Sequence, residues 1–235
     1  MQRFTTPACQ TCPHRKSPLM GCCALEELDL IATSKSAQHY QKGQFIYQEG
    51  NQPLGLYCVY EGRIKLAKTG GDNKEQIVHL VRQGDALGYR SLIAGSRYTV
   101  SAVALEDCVV CFVPRPDFLR LVQANVQFST ALMQLLARSL GEAEEQMLQL
   151  AYKPVRERLA GALVLVQQTF RREDEELPFR IALGREDLAA LVGTAKETVS
   201  RLLSEFREAG LIATRGSQIT ILKPARLLEI ATMYD

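Results

Sequence analysis

Seven cysteines lie in three groups along this chain, and the first group has the spacing of metal ligands. Cys9 and Cys12 form a Cys-x-x-Cys turn, which can offer two thiolates to one metal centre. The adjacent His14, Arg15 and Lys16 supply positive charge, which favours the thiolate form of nearby cysteines. This segment therefore predicts a thiolate-bound centre that needs about two more ligands.

The remaining ligands are sought among the other cysteines. Cys22 or Cys23 can supply the third thiolate from the same arm, and Cys111 can supply the fourth from a late predicted strand. Cys58 and Cys108 are expected to pack as small hydrophobic residues, so replacing Cys58 should not release metal. An iron–sulfur cluster, Zn²⁺ and a thiol–disulfide switch are all compatible with this spacing. The candidate metal ligands are Cys9, Cys12, Cys22, Cys23 and Cys111.

A second candidate site lies near the C-terminus, where two short helical patterns flank Gly193. Apolar residues repeat at helical spacing on both sides of this glycine, which permits the left-handed conformation that ends a helix. Polar residues of the second helix fall at spacings of one, three and four, so they share its exposed face. Such a strip fits a DNA major groove, where Arg reads guanine and Glu reads cytosine. These residues are Lys196, Glu197, Ser200 and Arg201.

The next segment, residues 211–221, alternates apolar and polar residues on both sides of Gly216. This alternation predicts a β-hairpin, the wing of a winged helix-turn-helix. Arg215, Ser217 and Gln218 at its tip are candidates for phosphate contacts. Such contacts fix the position of a protein on the duplex without reading the base sequence. An ordinary solvated helical hairpin is the alternative, but few such hairpins are followed by a wing.

The charge of the C-terminal region is balanced, with twelve Arg or Lys and twelve Asp or Glu from Pro154 to Asp235. A DNA-binding domain is expected to be basic. However, residues 173–176 form one acidic run in a predicted loop, whereas four basic residues lie around the second helix. We therefore expect moderate, strongly salt-dependent DNA affinity. The four are Lys196, Arg201, Arg207 and Arg215.

Two further patterns position these sites. Between Lys42 and Pro114, short β-type runs alternate with glycine turns, which predicts a compact antiparallel barrel or roll. From about Asn125 to Ala151, apolar residues recur at spacings of four and three, which predicts one long helix with a coiled-coil seam and a chain break at Pro154. An amphipathic helix lying on its own barrel is the alternative. The seam residues are Leu132, Leu136, Leu140, Ala143, Met147 and Leu150.

Composition limits the class of protein. The 235 residues are 46% hydrophobic and 23% charged with a net charge of +2, which is typical of a soluble chain of about two domains. The N-terminal residues lack the apolar region of an export signal, and no apolar run approaches the roughly 18 residues of a membrane span. We expect a cytoplasmic protein whose thiols start reduced.

These motifs together resemble the CRP/FNR superfamily of bacterial transcription regulators. The match between Glu197-x-x-Ser200-Arg201 and the FNR branch is specific, because the CRP branch has glycine at the position of Ser200. The resemblance implies an α+β fold with a jelly-roll (double-stranded β-helix) effector domain, a parallel dimerisation helix and a C-terminal winged helix-turn-helix. It divides the chain into an arm, 1–24, a cyclic-nucleotide-binding-like roll, 25–124, a dimer helix, 125–152, and a DNA-binding domain, 153–235.

The FNR resemblance also implies a cofactor and partners. Val110-Cys111-Phe-Val-Pro114 is similar to the segment in which the FNR branch holds the fourth ligand of a [4Fe–4S] cluster, although nine residues separate Cys12 from Cys22 where the family has fewer. The implied input is oxygen or nitric oxide. The implied partners are a second copy of the chain, a near-palindromic DNA with TTGAT-type half-sites and, in an activator, RNA polymerase.

Other ligands and another class of protein are the rival interpretations. Cyclic-nucleotide pockets of the family carry Glu for the ribose and Arg for the phosphate, but Tyr89 and Tyr98 align there, with Arg90 and Arg97 nearby. With haem or another small ligand in the roll, the protein would still be a transcription regulator but would respond to a different signal. A thiol or metal redox enzyme is the rival from another class, but no catalytic constellation is present in the sequence.

Overall fold

The computed structural model describes residues 7–171, 179–181, 183–216 and 218–233. The acidic run predicted at 173–176 and Ser217 at the wing tip lie outside the described residues. Within the described residues, no helix is both long enough and apolar enough to cross a bilayer. The chain divides into two compact units, Met1–Leu66 with Val81–Gly141, and Ala67–Leu80 with Glu142–Asp235.

The β-roll consists of two four-stranded sheets. The first sheet has the order β1-β8-β3-β6 and the second has the order β2-β7-β4-β5. The predicted roll is confirmed, and its first strand, Ser36–Tyr40, begins before the predicted range of Lys42 to Pro114. The strand bounds are β1 (Ser36–Tyr40), β2 (Phe45–Tyr47), β3 (Gly55–Glu61), β4 (Ile64–Thr69), β5 (Glu75–Val81), β6 (Ala86–Leu87), β7 (Ser101–Ala104) and β8 (Cys108–Pro114).

The antiparallel pairing of β3 with β8 determines which side chains share a face of the first sheet. Leu56 lies opposite Val113 and Cys58 lies opposite Cys111, whereas Tyr57 lies opposite Phe112. Because successive side chains of a strand alternate between faces, the Leu56 and Cys58 pairs share one face and the aromatic pair lies on the other. The two faces thus carry thiols and aromatic rings respectively.

A helical layer covers the thiol-bearing face. It consists of α1 (Leu25–Ser34), α3 (Arg115–Ala124) and the start of α4 (Val126–Tyr152). Leu56 and Val113 of the sheet belong to one apolar core with residues of this layer. The layer contributes Leu28, Ile31, Phe118, Leu121, Phe128, Ala131 and Leu132 to that core, and Leu19 of the arm joins them. A short helix, α2 (Tyr89–Ala94), begins after Gly88, whose φ of 83° favours glycine.

The long helix predicted from about Asn125 to Ala151 is confirmed as α4, but one of its predicted seam residues is wrong. Leu132 is only 2% exposed, because it packs within the core of its own unit. Met133 instead is 61% exposed and continues the seven-residue spacing of Leu140 and Met147, which are also exposed. Helical periodicity alone does not show which element covers an apolar residue. Leu136 and Leu150 are half-buried and Ala143 is exposed.

The second unit contains the winged helix-turn-helix that the sequence predicts. It comprises α5 (Val155–Phe170), α6 (Arg185–Val192), α7 (Lys196–Glu208), the hairpin β10 (Ile212–Arg215) and β11 (Gln218–Ile221), and α8 (Pro224–Ala231). A third strand, β9 (Arg180–Ile181), pairs with β11 and was not predicted.

Arg158 of α5 holds the junction between α4, α5 and α6. Its guanidinium donates to the carbonyl oxygens of Leu150 and Lys153 at 3.0 Å each and of Val192 at 2.9 Å. These oxygens lie near the carboxyl ends of α4 and α6, where backbone acceptors lack helical donors and a cation is favourable. Pro154 begins α5 immediately after this junction, as predicted. One side chain therefore ties the end of the long helix to the helix-turn-helix.

The substitution Arg158→Ala is expected to lower the free energy of unfolding by about 2 kcal/mol, because it leaves several half-buried carbonyl oxygens without a charged donor. Urea denaturation measures this change. Arg226→Ala is the matched control, since Arg226 forms an exposed pair with Glu229 that contributes little. Equal losses in the two variants would show that the junction does not depend on Arg158.

Candidate nucleic-acid interface and thiol cavity

The turn between α6 and α7 has the geometry expected of a DNA-reading motif. Gly193 ends α6 with a φ of 66°, and a Cβ added there would lie 2.8 Å from Leu150 Cδ2. The backbone conformation therefore favours glycine, and any other residue would in addition have to displace the Leu150 side chain. The buried side of α7 consists of Val199, Leu202, Leu203 and Phe206.

The opposite side of α7 carries the predicted base-reading residues. Lys196, Glu197 and Arg201 are exposed, and Ser200 is half-buried with its hydroxyl donating to the Lys196 carbonyl at 2.9 Å. Arg201 forms an ion pair with Glu205, one turn along the helix. An exposed pair of this kind contributes little stability, so Arg201 can exchange it for a contact with a base.

Two further cations flank this helix face. The Lys196 ammonium lies 2.5 Å from Glu186 of α6, and this hydrogen bond raises the pKa of Lys196. Arg215 is exposed at the end of β10, where it lies opposite Gln218 across the hairpin. Arg185 donates to the Gly216 carbonyl at 3.1 Å, which connects the start of α6 to the wing.

In the first unit, four thiols line one cavity of about 60 Å³: Cys9 and Cys12 of the arm, and Cys58 and Cys111 of the sheet. Apolar side chains of Leu28, Ile31 and Val113 form much of the rest of its wall. Within the described residues, no three His, Cys, Asp or Glu side chains converge closely enough to bind one metal ion. The thiols surround a space instead of converging on a point.

Lys35, at the end of α1, supplies positive charge to this cavity. Its ammonium group donates to Cys9 Sγ at 3.1 Å and also to the Pro7 carbonyl. Burial raises the pKa of Cys111, while the charge of Lys35 opposes the rise. The sequence carries no local signal for Lys35, because it lies 26 residues after Cys9.

The predicted cations of the arm have different positions. His14 Nε2 lies 2.9 Å from the Tyr60 carbonyl oxygen, which anchors the arm to the roll. Arg15 is exposed and lines the cavity, whereas Lys16 is exposed and does not line it.

The remaining cysteines do not line the cavity. Cys22 Sγ lies 3.4 Å from the Pro18 carbonyl, and Cys23 is buried in the apolar core, where burial raises its pKa to about 12. Cys108 is buried as expected, and its thiol donates to the Glu106 carbonyl at 3.1 Å. Cys58 differs from its expectation, because it faces the cavity with Cys111. The sequence signal for this position is the alternation of side chains along β3, which places Cys58 and Tyr57 on opposite faces.

Aromatic side chains pack together on the other face of β3 and β8. The Tyr47 and Tyr98 rings are stacked with centroids 3.9 Å apart, and Tyr57 lies 5.6 Å from Tyr47 and 5.1 Å from Phe112. Tyr47 and Tyr98 are buried, and burial raises the pKa of both phenols. These four rings form a continuous row, called the aromatic row below.

Polar residues adjoin this aromatic row, and the positive charge of Arg90 partly opposes the rise in the pKa of Tyr47 that burial causes. The Tyr89 hydroxyl lies 3.5 Å from Ser139 Oγ of α4. Arg90 is exposed, and Arg97 is exposed with its guanidinium donating to the Gly50 carbonyl at 2.8 Å.

Comparison with known proteins shows the same two-part organisation. The profile of the cyclic nucleotide-binding domain matches residues 37–125, and that of the Crp-like helix-turn-helix domain matches residues 157–230. The cyclic AMP receptor protein of Thermus thermophilus is 32% identical over 215 residues, which span 92% of this chain and 97% of the relative. The chain belongs to the CRP/FNR superfamily of transcription regulators.

Other members of the CRP/FNR superfamily support this assignment. The fumarate and nitrate reduction regulatory protein of Vibrio cholerae is 31% identical over 88% of this chain and 82% of the relative. The solved structure of FixK2 from Bradyrhizobium japonicum has a TM-score of 0.74 at 27% identity, covering 83% of this chain and 96% of that one. This CRP/FNR protein is accordingly a DNA-binding transcription regulator and not an enzyme. The predicted α+β fold is confirmed.

The aromatic row predicts that cyclic AMP does not bind the roll of this CRP/FNR protein. A ligand at free concentration c that binds only the folded state stabilises it by RT ln(1 + c/Kd), so about 1 mM cyclic AMP should leave Tm unchanged if the roll does not bind it. Differential scanning calorimetry with AMP as the matched control measures this. A rise in Tm with cyclic AMP but not with AMP would show that the nucleotide binds and displaces the aromatic rings.

Proposed function

We propose that this regulator senses oxygen or nitric oxide through an iron–sulfur cluster bound by the thiols of the cavity. The observation that supports it most directly is that Cys9, Cys12 and Cys111 line one cavity although about 100 residues separate the arm from β8. The FNR-type relative at 31% identity supports the same class of sensor.

The residues of the cavity fit such a group. Four thiols line the cavity, and four cysteine thiolates are the usual protein ligands of an iron–sulfur cluster. The Lys35 ammonium offsets negative charge there, and the apolar walls exclude water. When bound, an iron–sulfur cluster supplies reactivity toward oxygen and nitric oxide. Cys9 and Cys12 would then hold the arm against the sheet, with Cys111 as the ligand from β8.

The cyclic AMP receptor among the relatives favours a nucleotide signal as the second candidate. The contacts of Tyr98 and Arg97 argue against a nucleotide in the roll. Tyr98 stacks on Tyr47 where the resemblance expects the phosphate-binding arginine. Arg97, the nearby alternative, donates to the Gly50 carbonyl instead.

The output of the sensor would be DNA binding by a homodimer, with α7 in the major groove. In a two-fold dimer the two α7 helices would lie about one DNA turn apart, which favours near-palindromic operators with TTGAT-type half-sites. Glu197, Ser200 and Arg201 would contact bases, and Arg215 would contact phosphate. Contact with RNA polymerase, activation of transcription and a cytoplasmic location follow from the same family resemblance.

The cluster is tested on protein purified under argon. Iron and acid-labile sulfide are expected together, with a broad visible absorption shoulder, and Cys111→Ser should lose them because it removes a thiolate. Cys108→Ser is the matched control on the same strand and should retain both. A sharp Soret band would indicate haem, and Zn²⁺ without sulfide would indicate a zinc site or thiol switch; either result would contradict the cluster.

Arg201→Ala is expected to cost about 1–3 kcal/mol of binding free energy and to relax the preference at one base pair, because it removes a bidentate contact. Arg215→Ala should weaken binding to all sequences alike, since phosphate contacts carry no base preference. Fluorescence anisotropy at one fixed salt concentration, with an operator and its single-base variants, measures both. A uniform loss with Arg201→Ala would contradict base reading.

The dimer is expected to form through the exposed apolar stripe of α4. Each buried Leu or Met contributes about 1.5–3 kcal/mol, so Leu140→Asp should give a monomer in chromatography with light scattering. Leu228→Asp, on the half-exposed face of α8, is the matched control and should remain dimeric. A monomer obtained merely by removing the metal would contradict a seam that is stable without its effector.

A further inference from the structure

We propose that Cys58 is a ligand of the centre, so that the set is Cys9, Cys12, Cys58 and Cys111, with two thiols from the arm and two from the sheet. This inference rests on the proposed function, since it concerns the ligands of the same cluster. It replaces the third arm ligand that the family resemblance places at Cys22 or Cys23.

The strand register provides the first argument. Cys58 of β3 and Cys111 of β8 are directly opposite each other in an antiparallel pair. Directly opposed side chains emerge on the same face with Cβ atoms about 4.5–5.5 Å apart. A ligand role for Cys111 therefore brings the Cys58 thiol to the edge of the same centre without any movement of the backbone.

The cavity provides the second argument. Cys58 and Cys111 line it together with Cys9 and Cys12, which gives the four thiols that a cluster requires. Lys35 lines the same cavity and donates to Cys9 Sγ, so its positive charge lies in the space that the four thiols share.

The positions of the two other arm cysteines provide the third argument. Cys23 is 7% exposed within the apolar core that contains Leu19 and Leu28. The Cys22 carbonyl accepts a 3.0 Å hydrogen bond from the Asn125 amide, which fixes this part of the arm to the start of α4. Moving either thiol into the cavity would disrupt this packing, whereas Cys58 is already there.

The decisive experiment compares full-length variants reconstituted under argon with ferrous iron and sulfide. Cys58→Ser is expected to lose the iron, the sulfide and the visible absorbance. The double variant Cys22→Ser/Cys23→Ser is expected to retain all three, as is Cys108→Ser, which replaces a buried cysteine of β8 away from the cavity. Circular dichroism of each apoprotein confirms that it folds.

Failure of the inference and failure of the proposed function give different results. If Cys58→Ser retains the cluster and the double variant loses it, an arm cysteine is the ligand and only the inference is overturned. If the wild-type protein takes up no iron and sulfide, the proposed function fails as well.

A second measurement needs no variant. Iodoacetamide labelling of the wild-type protein, with and without the cluster, is followed by peptide mass spectrometry. The cluster is expected to slow the labelling of Cys58 and to leave that of half-buried Cys22 unchanged. Protection of Cys22 or Cys23 with unchanged labelling of Cys58 would overturn the assignment.

Discussion

The antiparallel register between β3 and β8 is the constraint on which both faces of the first sheet depend. It places Cys58 beside Cys111 on the face covered by the arm and α1, and Tyr57 beside Phe112 on the face that carries the aromatic row. A slip of one residue in β3 would exchange these two sets, because strand side chains alternate with a period of two. The same register thus creates a thiol cavity on one side and fills the aromatic side, where the resemblance expects a nucleotide.

In the helix-turn-helix, α7 has one apolar face and one polar face. Val199, Leu202 and Phe206 bury one side of α7, and this leaves Glu197 and Arg201 exposed on the other. The overall charge of the region is balanced, so the local arrangement of cations matters more than their number. Cations lie on the exposed face of α7 and at the end of β10, and the carboxylates of Glu186 and Glu205 pair with Lys196 and Arg201.

Local features of the sequence predicted most of the fold, since short-range periodicity, Gly193 and Pro154 define α4, the turn and the start of α5. The sequence could not predict features that depend on distant partners. Leu132 fits the helical seam but is covered by its own unit, and Cys58 was assigned to the core because its proximity to Cys111 requires a pairing over about 50 residues. Lys35 had no sequence signal, because its contact with Cys9 exists only once the arm has docked.

The central claim is that thiol ligation to a shared centre holds the arm against the sheet. Hydrogen–deuterium exchange of the arm backbone, measured in residues 7–16 with and without the reconstituted cluster, tests it most directly. Slower exchange in the arm of the loaded protein, with unchanged exchange in α7, is the result predicted. Equal exchange in the arm of loaded and apo protein, with iron demonstrably bound, would contradict the account.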